Sequence, residues 1–107
     1  MPPISIINCI EAPLGMEQTA IQVRNQYADY YRKQPGYVSS TFYRSIGIDN
    51  KFNFINIVVW ESVDAYQAVV NAGFANDPAS NTDGVKITDQ GFPDAIKVNS
   101  GQYEIIG

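Results

Sequence analysis

The sequence contains no histidine. That excludes His-dependent catalytic triads, His-based metal sites and His-ligated haem within this chain. Its one cysteine, Cys9, excludes an internal disulfide and every CxxC site. Positive charge is scarce: seven Lys and Arg stand against eleven Asp and Glu, for a net charge of −4. Sequence-independent nucleic-acid binding needs a basic footprint, so no nucleic-acid partner is expected. Nor is there electrostatic attraction to an anionic membrane. No apolar run approaches the roughly 18 residues of a membrane span. The N-terminus lacks the basic start and cleavage site of a signal peptide, and no N-x-S/T sequon occurs. A reduced, cytoplasmic setting is the expectation.

What is present suits one small soluble globule. The 107 residues make a single domain, 1–107, and 45% of them are hydrophobic. Charged residues reach only 17%, below the usual quarter, and Asn, Gln, Ser and Thr fill the difference. There is no internal repeat, low-complexity stretch or linker.

Residues 4–11 read as a strand. Ile4, Ile6 and Ile10 share one face with Asn8, and Ile7 and Cys9 the other. Pro13-Leu14-Gly15 breaks it. Residues 16–33 read as a helix with an apolar stripe of Met16, Ala20, Val23, Tyr27 and Tyr30. Glu17 in its first turn, and Arg32 and Lys33 in its last, suit the helix dipole. Tyr27 and Tyr30 are expected to face the core and Tyr31 the surface. Pro35-Gly36 stops the helix. Residues 37–46 are β-rich, 47–50 form a turn, and 51–61 give the strongest strand pattern. There Phe52, Phe54, Asn56, Val58 and Trp60 share one face, and Ile55, Ile57 and Val59 the other. Ser62 is a plausible N-cap for a helix over 63–72, with Asp64 in its first turn and Gly73 as its stop. Residues 74–93 read as a long loop. Residues 94–106 close with one strand or two, and a phase shift at Ser100-Gly101 suggests a bulge.

The order βαββαβ predicts an α+β, ferredoxin-like antiparallel sheet with two helices on one face. A strand apolar on both sides is covered on both sides. A second copy of the chain across a two-fold axis is the simplest cover, so a homodimer is expected.

The segment Pro35-Gly36-Tyr37-Val38-Ser39-Ser40-Thr41-Phe42-Tyr43, followed by Asn56-Ile57-Val58-Val59-Trp60-Glu61-Ser62 and Ala65-Tyr66, resembles the antibiotic biosynthesis monooxygenase family. The similarity is close over 35–73 and runs only to element order in the flanks. Members are small dimeric α+β barrel proteins, among them quinol and polyketide oxygenases and haem-degrading enzymes. The resemblance implies oxidation of a small aromatic, quinol or polyketide-like molecule by O2, with no metal and no organic cofactor. The substrate is deprotonated, gives an electron to O2, and the two combine to a peroxide.

The resemblance makes Asn56 and Trp60 the catalytic candidates. It also gives Tyr66 and Asn8 as substrate-binding candidates. Tyr27 belongs to a helix-borne tyrosine cluster suited to a flat ligand. The polyketide-oxidising branch carries a Tyr directly after the motif Asn and a basic residue after the second helix. Here the first position is Ile57, and the second region offers only Lys86. The haem-degrading branch needs a helix histidine that this chain lacks.

The residues alone leave alternatives open. Asn56 and Trp60 lie four apart on a strand, so they share a face with about 13 Å between their Cα atoms. A buried amide must be hydrogen-bonded or it costs about 1–3 kcal/mol. Asn56 either meets a ligand oxygen or pairs with Asn8 or backbone. Trp60 either borders a ligand or fills the core. The alternative to an oxygenase is a non-enzymatic small-molecule-binding or dimerisation module of the same fold. A cavity beside Asn56 and Trp60 separates a ligand-binding protein from one with a filled interior.

Overall fold

The computed structural model describes residues 3–47, 50–76 and 92–107. Among these, the elements run β1 (Ile4–Glu11), α1 (Glu17–Tyr31), β2 (Tyr37–Arg44), β3 (Phe54–Trp60), α2 (Val63–Asn76) and β4 (Lys97–Glu104). The strands form one antiparallel sheet in the order β2-β3-β1-β4. This is the α+β ferredoxin-like arrangement, with both helices packed on one sheet face.

Alternation builds the inner face. Along β3, Phe54, Asn56, Val58 and Trp60 are buried, while Ile55, Ile57 and Val59 on the other side are half-buried. Ile4, Ile6 and Ile10 do the same along β1. Two apolar clusters result. One gathers Ile4, Ile6, Val58 and Val69 around Trp60. The other gathers Ile10, Ala12, Ala20 and Ile96 around Phe54.

β3 begins at Phe54, later than the pattern over 51–61 suggests, and a side chain explains why. The Asn53 amide donates to the Ala12 carbonyl and accepts from the Ala12 N–H, both at 2.9 Å. It thus stands in for a strand backbone where the β1–β3 ladder ends. Phe52 therefore lies outside the strand. β2 likewise ends at Arg44, and Ile46 is exposed.

Three further expectations are corrected. α1 ends at Tyr31, so Arg32 caps the helix and no basic residue sits in its last turn. α2 runs past Gly73 to Asn76; one interior glycine costs only about 1 kcal/mol against alanine. Its start is as expected, with the Ser62 hydroxyl accepting from the Ala65 N–H at 3.2 Å. Most of the loop expected over 74–93 lies outside the described residues. Finally, β4 pairs with β1 in unbroken register from Lys97 to Glu104, with no bulge at Ser100-Gly101. The irregularity falls on β2, between Tyr37 and Ser39. The phase shift in β4 has another cause. Val98 faces the helices, while Gly101 and Tyr103 face the open side, and the Tyr103 ring lies over the space a Gly101 side chain would fill.

Gly36 fixes how the chain enters the sheet. Its φ is +87°, and a Cβ there would collide with the Ala65 side chain at the start of α2. Its carbonyl accepts from the Glu61 N–H at 2.8 Å. Gly36→Ala is expected to cost about 1–3 kcal/mol from the strained backbone and the contact. A thermal melt should show a fall on the order of 5–15 °C.

Candidate functional site

The two apolar clusters leave a polar row between them. Asn56 and Asn8 are direct cross-strand partners on the helix-facing side of the sheet. Phe42 flanks Asn56 from β2, and Ser100 flanks Asn8 from β4. This row borders a cavity of about 420 Å3 between sheet and helices. Pockets for small organic ligands run from about 300 to 1,000 Å3. Asn8, Tyr27, Asn56, Trp60 and Tyr66 all line it, so the five residues singled out from the sequence meet around one space.

The cavity has an aromatic end and a polar end. At the aromatic end Trp60 is completely buried. Tyr31 meets it edge-on at 5.5 Å between ring centroids, and Tyr37 does so at 6.0 Å. Tyr66 tilts against it at 6.1 Å. Phe92 stacks on Tyr27 at 5.9 Å with 13° between the planes. Burial pushes the Tyr66 phenol up from its ordinary value. It does the same to Tyr31, with Tyr66, Tyr27 and Tyr30 adding to the effect. Tyr31 and Tyr66 therefore remain neutral hydroxyls at physiological pH.

The Trp60 indole N–H is buried and, among the described residues, has no hydrogen-bond partner. An orphaned donor of this kind costs about 1–3 kcal/mol. Trp60 thus offers its ring, rather than its N–H, as the wall.

At the polar end, Arg24 enters from α1. Its Nε donates to Asn56 Oδ1 at 2.9 Å. Guanidinium only donates, so the Asn56 oxygen must face Arg24 and its NH2 must turn the other way. Ser100 Oγ lies 2.6 Å from Asn8 Oδ1 and donates to it. Among the described residues nothing accepts from either amide NH2. A ligand oxygen at this end would therefore meet hydrogen-bond donors. The Asn8–Asn56 pairing anticipated as one alternative holds for the strand register, but each amide oxygen takes its bond from another residue.

Sequence reasoning missed Arg24 and misplaced Tyr31. Tyr31 was expected on the surface, yet it packs on Trp60 and lines the cavity. Both belong to the stripe Ala20, Arg24, Tyr27, Tyr31, whose spacings of four and three put them on one helix face. The available signal was a cation in step with aromatic residues. Lys86, considered as the basic residue of the site, lies outside the described residues. Arg44 is exposed, with its guanidinium over the Phe54 ring at 5.8 Å. Ile57 and Cys9 point to the open side of the sheet, away from the cavity. A tyrosine at position 57 would not reach this space.

Solved structures show the same architecture. A candidate monooxygenase from Shewanella loihica superposes with a TM-score of 0.77 at 20% identity, over 99% of this chain and 96% of that one. SnoaB, a cofactor-independent oxygenase from Streptomyces nogalater, gives 0.66 at 19% identity, over 100% and 96%. A haem-degrading protein from Mycobacterium tuberculosis gives 0.63 at 21% identity, over 97% and 91%. The fold is the one these proteins share, as the resemblance to the antibiotic biosynthesis monooxygenases implies. No protein-family model matches the sequence, and no curated protein does. At these identities the likeness establishes the fold alone, and activity has to be argued from the cavity. Among the described residues, no helix is long and apolar enough to cross a membrane.

Proposed function

We propose that this chain is a monooxygenase that oxidises a small aromatic, quinol or polyketide-like molecule with O2, working as a homodimer and without an added cofactor. The observation that carries the reading is the cavity itself: a two-ended space, aromatic around Trp60 and hydrogen-bond-donating at Asn8 and Asn56. A flat phenolic molecule matches both ends. Its ring lies against Tyr27, Trp60 and Tyr66, and its oxygen meets the Asn56 NH2.

The chemistry needs only substrate and O2. The phenol loses its proton, and the phenolate passes one electron to O2. The resulting radical and superoxide join at a ring carbon to form a C–O bond. The peroxide takes up the phenolic proton, and loss of water converts the attacked ring C–H to C=O. One oxygen atom stays in the product, and the other leaves as water with the two hydrogens. Donors held in place around the developing oxyanion stabilise it without reorganising.

Oxygen uptake tests the reading. Naphthoquinols and anthrone-like phenols, added to the purified protein without metal or flavin, are expected to give saturable consumption above the uncatalysed rate. Binding without consumption would instead support a small-molecule-binding module. One observation favours that second reading: Tyr31 and Tyr66 are held protonated, and Asp94 is the one carboxylate among the described lining residues.

The dimer is argued from the uncovered side of the sheet. Ile7, Cys9, Ile55, Ile57 and Val59 form a half-buried apolar strip there, flanked by the half-exposed Tyr43 and Tyr103. A second sheet face would cover it. Sedimentation should give twice the chain mass, and Ile57→Lys should shift it to the monomer. A wild-type monomer at micromolar concentration would defeat the expectation.

A further inference from the structure

Arg24 poses a problem that its own contacts do not solve. Its Nε bonds Asn56 Oδ1 at 2.9 Å, one terminal nitrogen reaches Asn25 Oδ1 at 3.2 Å, and the other reaches Ser40 Oγ at 3.5 Å. All three acceptors are neutral. The guanidinium also lies over the Phe42 ring, 4.7 Å from its centroid. Among the described residues no carboxylate pairs with it; the ion pair of α1 joins Arg32 to Asp29 instead. A half-buried cation without a counter-ion is costly. Desolvation lowers its pKa, and Arg32 adds to that, while Tyr37 and Asp29 act in opposition. Arg24 nonetheless lines the cavity, beside the amide it orients.

We infer that Arg24 makes this cavity select its ligand as an oxyanion, so that a bound phenol is held ionised. The counter-ion that no described residue provides is supplied by the ligand. Arg24 acts in two ways. Its charge attracts the anion through a partly dehydrated space, where charges interact more strongly than in water. Its Nε–H also holds the Asn56 oxygen back, keeping the amide NH2 turned toward the anion. The other ionisable groups among the described lining residues do not replace it. Asp94 and Lys97 are exposed, and Tyr27, Tyr31 and Tyr66 are phenols. The inference rests on the proposed reading of the cavity as a site for a phenolic ligand, and adds the charge state in which that ligand binds.

The test uses 2-naphthol as probe and 2-methoxynaphthalene, its methyl ether, as the isostere that cannot ionise. A phenol of this kind titrates toward pH 10 in water. Bound to the wild-type protein, the naphtholate absorbance should appear at lower pH. At about pH 8 the ionised-to-neutral ratio should be about a thousandfold higher than for the free compound, a shift of about three pH units, so that the ionised form predominates when bound. Arg24→Gln should weaken naphthol binding about tenfold and leave ether binding within about twofold. Arg24→Lys, which keeps the charge but not the planar fork, should fall between.

A bound naphthol that titrates like the free one overturns the inference. So does an Arg24→Gln protein that loses both ligands equally, or neither. Near-UV circular dichroism shows whether that variant is folded; if it is not, the wild-type absorbance titration and Arg24→Lys decide the matter. Ether binding without a preference for naphtholate defeats the inference alone. Failure of both compounds to bind the wild-type protein defeats the reading of the cavity as well.

Discussion

Replacing Asn56 by alanine is expected to cut oxygen consumption about 100- to 1,000-fold, the usual loss when one preorganised oxyanion donor is removed. The change also leaves Arg24 without its acceptor at 2.9 Å. A loss of stability therefore accompanies the loss of rate, on the order of 1–3 kcal/mol. Asn56→Asp separates the two effects. A carboxylate there pairs with Arg24 and holds the fold, but it offers no donor and repels a phenolate. The account expects Asn56→Asp to melt close to the wild type and to be as inactive as Asn56→Ala. If Asn56→Asp retained wild-type turnover, the amide NH2 would have no part in the chemistry.

Trp60 carries the largest expected effect on stability. It is completely buried and touches Tyr31, Tyr37 and Tyr66. Trp60→Ala should cost about 3–5 kcal/mol, through lost transfer energy and the void left behind. For a domain of this size that is a fall on the order of 15–25 °C in Tm. Trp60→Phe should behave very differently. It gives up volume but also removes the orphaned indole N–H. The two terms oppose each other, so its stability should lie within about 1.5 kcal/mol of the wild type. Differential scanning calorimetry on both variants checks this. A Trp60→Phe protein as unstable as Trp60→Ala would mean that the N–H has a partner after all.

The sheet was legible in the sequence because period-2 alternation is strong where one face is buried. Phe54, Asn56, Val58 and Trp60 alternate with Ile55, Ile57 and Val59, and the structure keeps that division. The two asparagines stood out for the same reason, as amides on apolar faces. What escaped depended on tertiary contacts. No local pattern says that the Asn53 side chain will take over a strand's hydrogen bonds at Ala12. The Gly101 phase shift looked like a bulge because the sequence does not show where the Tyr103 ring lies. Apart from its step with Tyr27 and Tyr31, nothing in the local sequence marks Arg24 as a site residue. Only the packing of α1 across Phe42 and Asn56 brings it to the cavity. Tyr30 and Tyr31 are adjacent, and helical periodicity alone puts only one of the two on the apolar stripe. The helix presents both rings inward, with 5.9 Å between their centroids.

The central claim is that the space beside Asn56 and Trp60 binds a flat aromatic molecule. Trp60 is the only tryptophan of the chain, so its fluorescence reports on that space alone. Titration of the wild-type protein with naphthoquinols, hydroquinones and anthrone-like phenols is the most direct test. The account predicts saturable quenching by at least one of these classes, weakened in Asn56→Ala. Absence of any saturable change across the panel, with the protein folded, would contradict it.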